Sequence, residues 1–333
     1  MKIFKNKNIL ITGGTGFVGS HLVEKLIELD AKVVVTYQTE NPKSYFFSKK
    51  LDQQTIMANL DINHFEAIFD LITKNQIDYI FHLAAQPLVE VAFYNPRRTL
   101  KTNILGTINI LESARLYSKT KAIIVASSDK AYGKTGKKKY LESTPLRGDH
   151  PYEVSKSAAD LICSSYYKTY QLAVSITRFG NIYGEGDLNF SRIIPGMMQS
   201  LSSNQVLKIR SNGKYVRNYL YVKDVVDSYL LLAANINKVK GEAFNLGSKD
   251  KFSVIKLIKL VEKTLNKKLK YQILDIAKNE IPYQVLDYNK IKKILDWEPQ
   301  YSLRKTIAGI YQWYYQINGG TESIYENHYS LWR

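Results

Sequence analysis

Thr12–Gly19 reads TGGTGFVG, and its setting constrains the chain more than its glycines alone. It follows the short apolar run Asn8–Thr12 and opens a stretch in which Val18, Leu22, Leu26 and Leu29 recur at helical spacing. A strand that ends in glycines and turns straight into a helix is the first unit of a parallel, doubly wound sheet. Gly13 and Gly14 allow the tight turn, Gly16 lets the backbone approach a pyrophosphate, and Gly19 permits close helix–strand contact. The N–H groups of the helix N-terminus favour that negative charge. The turn therefore predicts a dinucleotide site.

The chain keeps this rhythm as far as Arg178. Strands are expected at Lys32–Tyr37, Thr55–Asn59, Tyr79–Ala84, Ala122–Ser127 and Ala173–Thr177, and helices at Phe65–Lys74, Arg97–Ser118 and Pro151–Tyr170. Short apolar strands alternating with amphipathic helices predict a Rossmann-type α/β fold, a parallel sheet covered on both faces. After Arg178 the elements become shorter and richer in Asn, Gly and Tyr, with helices expected at Ser253–Thr264, capped by Ser253, at Asn289–Leu295 and at Leu303–Gln316. The expected division is a dinucleotide-binding domain over 1–178 and a smaller α/β substrate lobe over 179–317, with some crossing back of the chain. Residues 318–333 form a polar, aromatic tail to which no role is assigned.

Composition narrows the class further. The chain has 333 residues, 45% hydrophobic and 23% charged, enough to bury a sizeable core. The net charge is +17, but the lysines are scattered and the one dense run, Lys134 and Lys137–Lys139, lies between glycines and next to a turn. That pattern reads as a solvated surface suited to a diphosphate-bearing substrate, not as a nucleic-acid stripe. No apolar run approaches the length of a membrane span. The single cysteine, Cys163, lies on a helix and reads as a packed thiol; no Cys/His cluster has metal-ligand spacing, and a cytoplasmic setting is expected.

Tyr152 and Lys156 stand four apart, which on a helix puts them on one face. A lysine ammonium there favours the phenolate, and such a tyrosine can take a proton from a sugar hydroxyl while hydride leaves the same carbon. The segment ending the second strand, Val35-Thr36-Tyr37-Gln38, holds neither an acid for a ribose hydroxyl nor an arginine for a 2′-phosphate, so it leaves NAD and NADP both open.

With these motifs the sequence resembles the extended branch of the short-chain dehydrogenase/reductase family. The resemblance runs from about residue 7 to about residue 315 and rests on TGGTGFVG, HLAAQ at His82–Gln86, NILGT at Asn103–Thr107, YEVSK at Tyr152–Lys156, RFGNIYG at Arg178–Gly184 and RNYLYVKD at Arg217–Asp224. It implies a nucleotide-sugar substrate. It also implies cofactor contacts from Gly13, Gly16, Phe17, Val18 and Gly19, from Asp61 and Ile62 near the adenine, and from Leu83, Ala84, Ala85, Gln86, Tyr152 and Lys156. Gln86, Asn181 and Arg217 would meet the substrate, the last two at its diphosphate, with Arg192 near the nucleoside. Arg97–Ser118 and Pro151–Tyr170 would build a homodimer.

Within that family the informative stretch is Ser127-Ser128-Asp129-Lys130-Ala131-Tyr132-Gly133, at the carboxyl end of a strand. An acid/base pair there marks the 4,6-dehydratases, and Asp-Lys after serine resembles the CDP-glucose 4,6-dehydratases, which implies NAD. Ser128 would hydrogen-bond the sugar oxygen at C4. Lys130 would take the C5 proton, provided neighbouring charge and desolvation keep its amine neutral, and protonated Asp129 would donate to the departing C6 hydroxyl. PLRGDHPYEVSKSAADLI at Pro145–Ile162 and GDLNFSRIIPGMM at Gly186–Met198 resemble a sub-branch that includes bacterial GDP-N-acetylglucosamine 4,6-dehydratases of legionaminic acid synthesis. The expected reaction is therefore loss of water from a nucleotide-linked hexose, with GDP-N-acetylglucosamine ahead of CDP-glucose or a GDP-mannose type substrate. A 4-epimerase on the same fold, or a protein that binds cofactor or nucleic acid without catalysis, is the rival expectation.

Overall fold

The computed structural model describes residues 1–136, 139–276 and 281–318. Lys137 and Lys138 of the lysine run, and the tail from 319 onward, lie outside the described residues.

Seven strands form one parallel sheet. They are β1 (Asn8–Thr12), β2 (Lys32–Tyr37), β3 (Ile56–Asn59), β4 (Tyr79–His82), β5 (Ala122–Ser128), β6 (Val174–Phe179) and a last strand, Ala243–Leu246. Their order across the sheet is β3-β2-β1-β4-β5-β6 and then Ala243–Leu246, which pairs in parallel with β6. The doubly wound α/β fold expected from the glycine turn is thus present, and the order reverses between β1 and β4. Crevices at such a reversal, at the carboxyl ends of the strands, are where this architecture binds ligands.

Burial on both faces explains the apolar runs. Ile9, Leu10 and Ile11 of β1 are all fully enclosed, as are Ile80 and Phe81 of β4. On one face Leu22, Val23 and Leu26 of the Phe17–Glu28 helix pack with Val225, Val226 and Tyr229 of the Val222–Ala234 helix. On the other, Ile68, Ile72, Ile110, Leu111 and Cys163 cover the sheet. Each large aliphatic side chain so buried contributes about 2 kcal/mol.

The second lobe is a small mixed sheet. Val216–Tyr221 pairs antiparallel with Lys251–Ser253 and parallel with both Tyr283–Gln284 and Asn181–Tyr183. Met197, Met198, Leu257, Val261, Ile307 and Ile310 fill the core between its helices. Ser253 caps the Val254–Leu265 helix, accepting from Lys256 N at 3.4 Å.

Three expectations need adjusting, the first being the strand predicted over Tyr79–Ala84, which ends at His82. The helix predicted over Arg97–Ser118 begins at Pro96, with Asn95 Oδ1 accepting from Arg98 N, and carries a π-turn at Lys101–Leu105 before continuing as Gly106–Tyr117. The Thr107 hydroxyl donates to the Asn103 carbonyl at 2.7 Å, competing with the helical ladder at that turn. The strand predicted over Ala173–Thr177 is Val174–Phe179, extended because Phe179 stays in register with Ser128. Among the described residues no helix is long and apolar enough to cross a membrane.

Candidate active site

The glycine turn is built by close approach. Gly13 has φ +69°, and a Cβ there would stand 3.0 Å from the Ala84 backbone. A Cβ on Gly19 would fall 2.4 Å from the Gly13 carbonyl oxygen, so only hydrogen fits where the helix crosses the turn. Gly16 is the N-cap of Phe17–Glu28. No side chain caps that helix, and its first turn holds no acidic residue. The N–H groups around Phe17, Val18 and Gly19 therefore meet no built-in anion, an arrangement that fits a dinucleotide diphosphate.

The β4 loop is tied to this turn. Leu83 N donates to the Thr12 carbonyl at 3.2 Å, and Ala84 N to Thr12 Oγ1 at 3.2 Å. Thr12 Oγ1 also meets His82 Nδ1 at 2.8 Å, while His82 Nε2 meets Thr107 Oγ1 at 3.1 Å. Because the Thr107 proton goes to the Asn103 carbonyl, His82 must donate from Nε2 and accept at Nδ1. Burial, helped by the Lys156 charge, drives the His82 pKa down to about 3, which keeps this neutral form. Next to Ala85, Gln86 is buried, and its amide is in hydrogen-bond contact with Thr99 at 3.2 Å. Asp61 closes a turn by accepting from Asn63 N at 2.9 Å, and Ile62 packs its side chain into the sheet core beside Gly106.

At the carboxyl end of β5 the chain turns through a short 3₁₀ segment, Asp129–Tyr132, with Ser128 as its cap. Ser128 Oγ accepts from Lys130 N at 3.2 Å and lies 3.3 Å from Asp129 Oδ1. Asp129 is buried, and that burial raises its pKa against the opposing charges of Lys130 and Arg217. Lys130 Nζ donates to Gln284 Oε1 of the second lobe at 2.8 Å.

Tyr152 reaches the same strip from the Pro151–Tyr170 helix, started by Pro151 at its first turn. Burial pushes the Tyr152 phenol up to about 12, while a hydrogen bond with Ser128 and the charge of Arg192 pull it down. Lys156, one turn on, donates to the Ala126 carbonyl at 2.8 Å. Its own pKa is lowered to about 8 by burial. The influence on Tyr152 expected of Lys156 thus comes from Ser128 and Arg192.

Three of the expected site residues lie on the second lobe. Arg217 stands on Val216–Tyr221, in register with Gln284, and its charge reaches Asp129. Arg192 precedes the Ile193–Ser203 helix without capping it and donates to Asp187 Oδ2 at 3.1 Å. Asn181 opens the short strand beside Tyr219 with its side chain exposed.

Two residues of the framework had no assigned role in the sequence. Asn103, inside the NILGT motif, accepts from Gln86 N at 2.7 Å and donates to Ser155 Oγ at 2.9 Å. Arg178, the first residue of RFGNIYG, forms a two-pronged buried pair with Asp160, both bonds 2.7 Å, and also donates to Tyr132 Oη at 2.7 Å. The motifs flagged both residues; their partners lie too far along the chain to be read from spacing.

A family model described as GDP-mannose 4,6 dehydratase matches residues 10–310. The CDP-glucose 4,6-dehydratase of Salmonella typhimurium is 29% identical, over 93% of this chain and 91% of its own length. Among solved structures, the UDP-glucose 4-epimerase of Thermotoga maritima, seen with UDP-glucose, superposes with a TM-score of 0.84 at 30% identity, covering 93% of this chain and 99% of that one. The dTDP-glucose 4,6-dehydratase of Bacillus anthracis, in complex with NAD, gives 0.83 at 27% identity, covering 94% and 98%. The chain belongs to the extended short-chain dehydrogenase/reductase family of nucleotide-sugar dehydratases and epimerases that the GDP-mannose 4,6 dehydratase model describes.

Proposed function

We propose that this chain is an NAD-dependent nucleotide-sugar 4,6-dehydratase. The observation that carries the reading is the strip Ser128-Asp129-Lys130 at the end of β5, a buried carboxyl and an amine beside Tyr152. A 4-epimerase needs a base at the C4 hydroxyl and has no use for a second acid and base.

In this reading Tyr152 takes the proton of the C4 hydroxyl, with Ser128 holding the oxygen. NAD, when bound along Gly13–Gly19 and the β4 loop, supplies the place where the C4 hydride is held before delivery to C6. The new ketone acidifies C5, and Lys130 takes that proton. Asp129, whose pKa burial raises, gives its proton to the C6 hydroxyl, which leaves as water. Lys130 returns its proton to C5, and one proton passes from Tyr152 back to Asp129. Arg217 and Asn181 bind the diphosphate, and Arg192 lies toward the nucleoside.

GDP-N-acetylglucosamine is the first substrate to test, on the strength of Pro145–Ile162 and Gly186–Met198. CDP-glucose is the second, supported by Asp-Lys after serine and by the Salmonella relative. A homodimer is part of the proposal. Leu105 and Leu116 on one long helix and Val154 and Leu161 on the other are exposed, and two such faces could cover each other.

The test is mass spectrometry of each nucleotide sugar incubated with the protein and NAD, without added reductant. A product lighter by one water supports the dehydratase. Unchanged mass with inversion at C4 would establish the second reading, an epimerase, which the Thermotoga structure favours.

A further inference from the structure

Lys130 belongs to the first lobe, but an acceptor for its amine comes from the second. Gln284 sits on the two-residue strand Tyr283–Gln284, beside Val216–Tyr221, and its Oε1 lies 2.8 Å from Lys130 Nζ. Gln284 is only 1% exposed, and its Nε2 has no hydrogen-bond partner among the described residues. Leaving one end of a buried amide unsatisfied costs stability. A leucine or methionine of similar volume would avoid that penalty. Among the described residues, the Gln284 side chain bonds to Lys130.

We infer that Gln284 is the positioning residue for Lys130, its carbonyl oxygen fixing the direction in which the amine faces the reacting sugar. The inference rests on the reading of Lys130 as the C5 base. An amide oxygen can only accept, so it engages an N–H of Lys130 and leaves the nitrogen lone pair of a neutral amine available. Turned the other way, the amide would donate to that lone pair and block it. Because Gln284 is on a strand of the second lobe, the orientation of the base depends on how that lobe sits on the first.

Other groups share this corner: Asp129 next to Lys130, Tyr152 and Glu153 on the helix opposite, Arg217 on the adjoining strand, and Tyr140. Their charges set the background against which any change at Gln284 is measured.

Two substitutions separate position from bulk. Gln284→Leu keeps the volume and removes the acceptor. Gln284→Glu keeps an acceptor and adds a charge. In the free enzyme, the Lys130 titration is followed by NMR of ¹³C-lysine, assigned with Lys130→Arg. Gln284→Glu should raise its midpoint by about one unit or more. With substrate, Gln284→Leu should lower kcat for water loss by about tenfold or more, with KM and the rate of C4 oxidation within about twofold of the parent. A Lys130 midpoint that moves by less than about 0.3 unit in Gln284→Glu overturns the inference. So does a Gln284→Leu enzyme that loses water at the parental rate, or one in which both steps fall in parallel. If the parent enzyme oxidises C4 yet never loses water, the dehydratase reading fails by itself, and the NMR midpoint still decides whether Gln284 controls Lys130.

Discussion

Asn103 Nδ2 donates to Ser155 Oγ at 2.9 Å, and Ser155 Oγ donates to the Tyr152 carbonyl at 2.6 Å. The π-turn of one helix is thereby bonded to the first turn of the helix that presents Tyr152 and Lys156. Asn103→Ala would leave the buried Gln86 N–H without its acceptor. Unfolding in denaturant should show a loss of about 1–3 kcal/mol. Because Tyr152 loses its bracing, kcat should fall more than KM rises.

In the proposed mechanism, Tyr152→Phe removes the phenolate oxygen that takes the C4 proton. Cofactor reduction, followed at 340 nm in a single turnover, should fall by about 10²–10⁴-fold. Retention of the parental rate would remove Tyr152 as the base.

Asp129→Asn combined with Lys130→Ala should separate the two halves of the reaction. C4 oxidation should persist, while mass spectrometry finds no product lighter by water. A double variant that dehydrates normally would refute the roles given to both residues.

Lys156 is nearly enclosed, and burial lowers its pKa to about 8 from an ordinary value of 10.5. Between those values the unfolded chain binds the extra proton, so this group's contribution to stability rises with pH across about 8 to 10.5. Below pH 8 the folded chain carries the full cost of the buried charge, roughly 3 kcal/mol. Lys156→Met should abolish turnover yet raise Tm at pH 7 by about 4 °C. The gain should shrink as the pH of the melt is raised from 8 to 10.5.

Leu161 is 60% exposed on the Pro151–Tyr170 helix, too much apolar surface to leave open on the face proposed to pair. Leu161→Glu should shift the mass measured by light scattering from dimer to monomer, or raise the dimer dissociation constant at least about tenfold. An unchanged mass would mean that this face is not the interface.

The sheet was legible because its signals are local. Val33-Val34-Val35 and Ile9-Leu10-Ile11 are buried on both sides, and such runs read as parallel strands without knowledge of their neighbours. The strip Ser128-Asp129-Lys130 at a strand end and Tyr152 at a helix start could each be placed from its own motif. The partners could not. Gln284 lies 154 positions from Lys130, on a strand two residues long that has no pattern of its own. The Asn103 π-turn escaped for a different reason: its residues have ordinary helical spacing, and the turn is stabilised by a threonine hydroxyl and by packing of Ile62 on Gly106.

Ala243–Leu246 completes the first sheet after the chain has already laid down Asn181–Tyr183 and Val216–Tyr221 in the second. The lobes are therefore laced together and not strung in series. No single cut releases either one whole, and a graft that exchanges only the second lobe needs several junctions. One of them must preserve the hydrogen bonds between Ala243–Leu246 and β6. Change in sugar preference on this scaffold is consequently easier to reach by altering loops in place than by trading a detachable module.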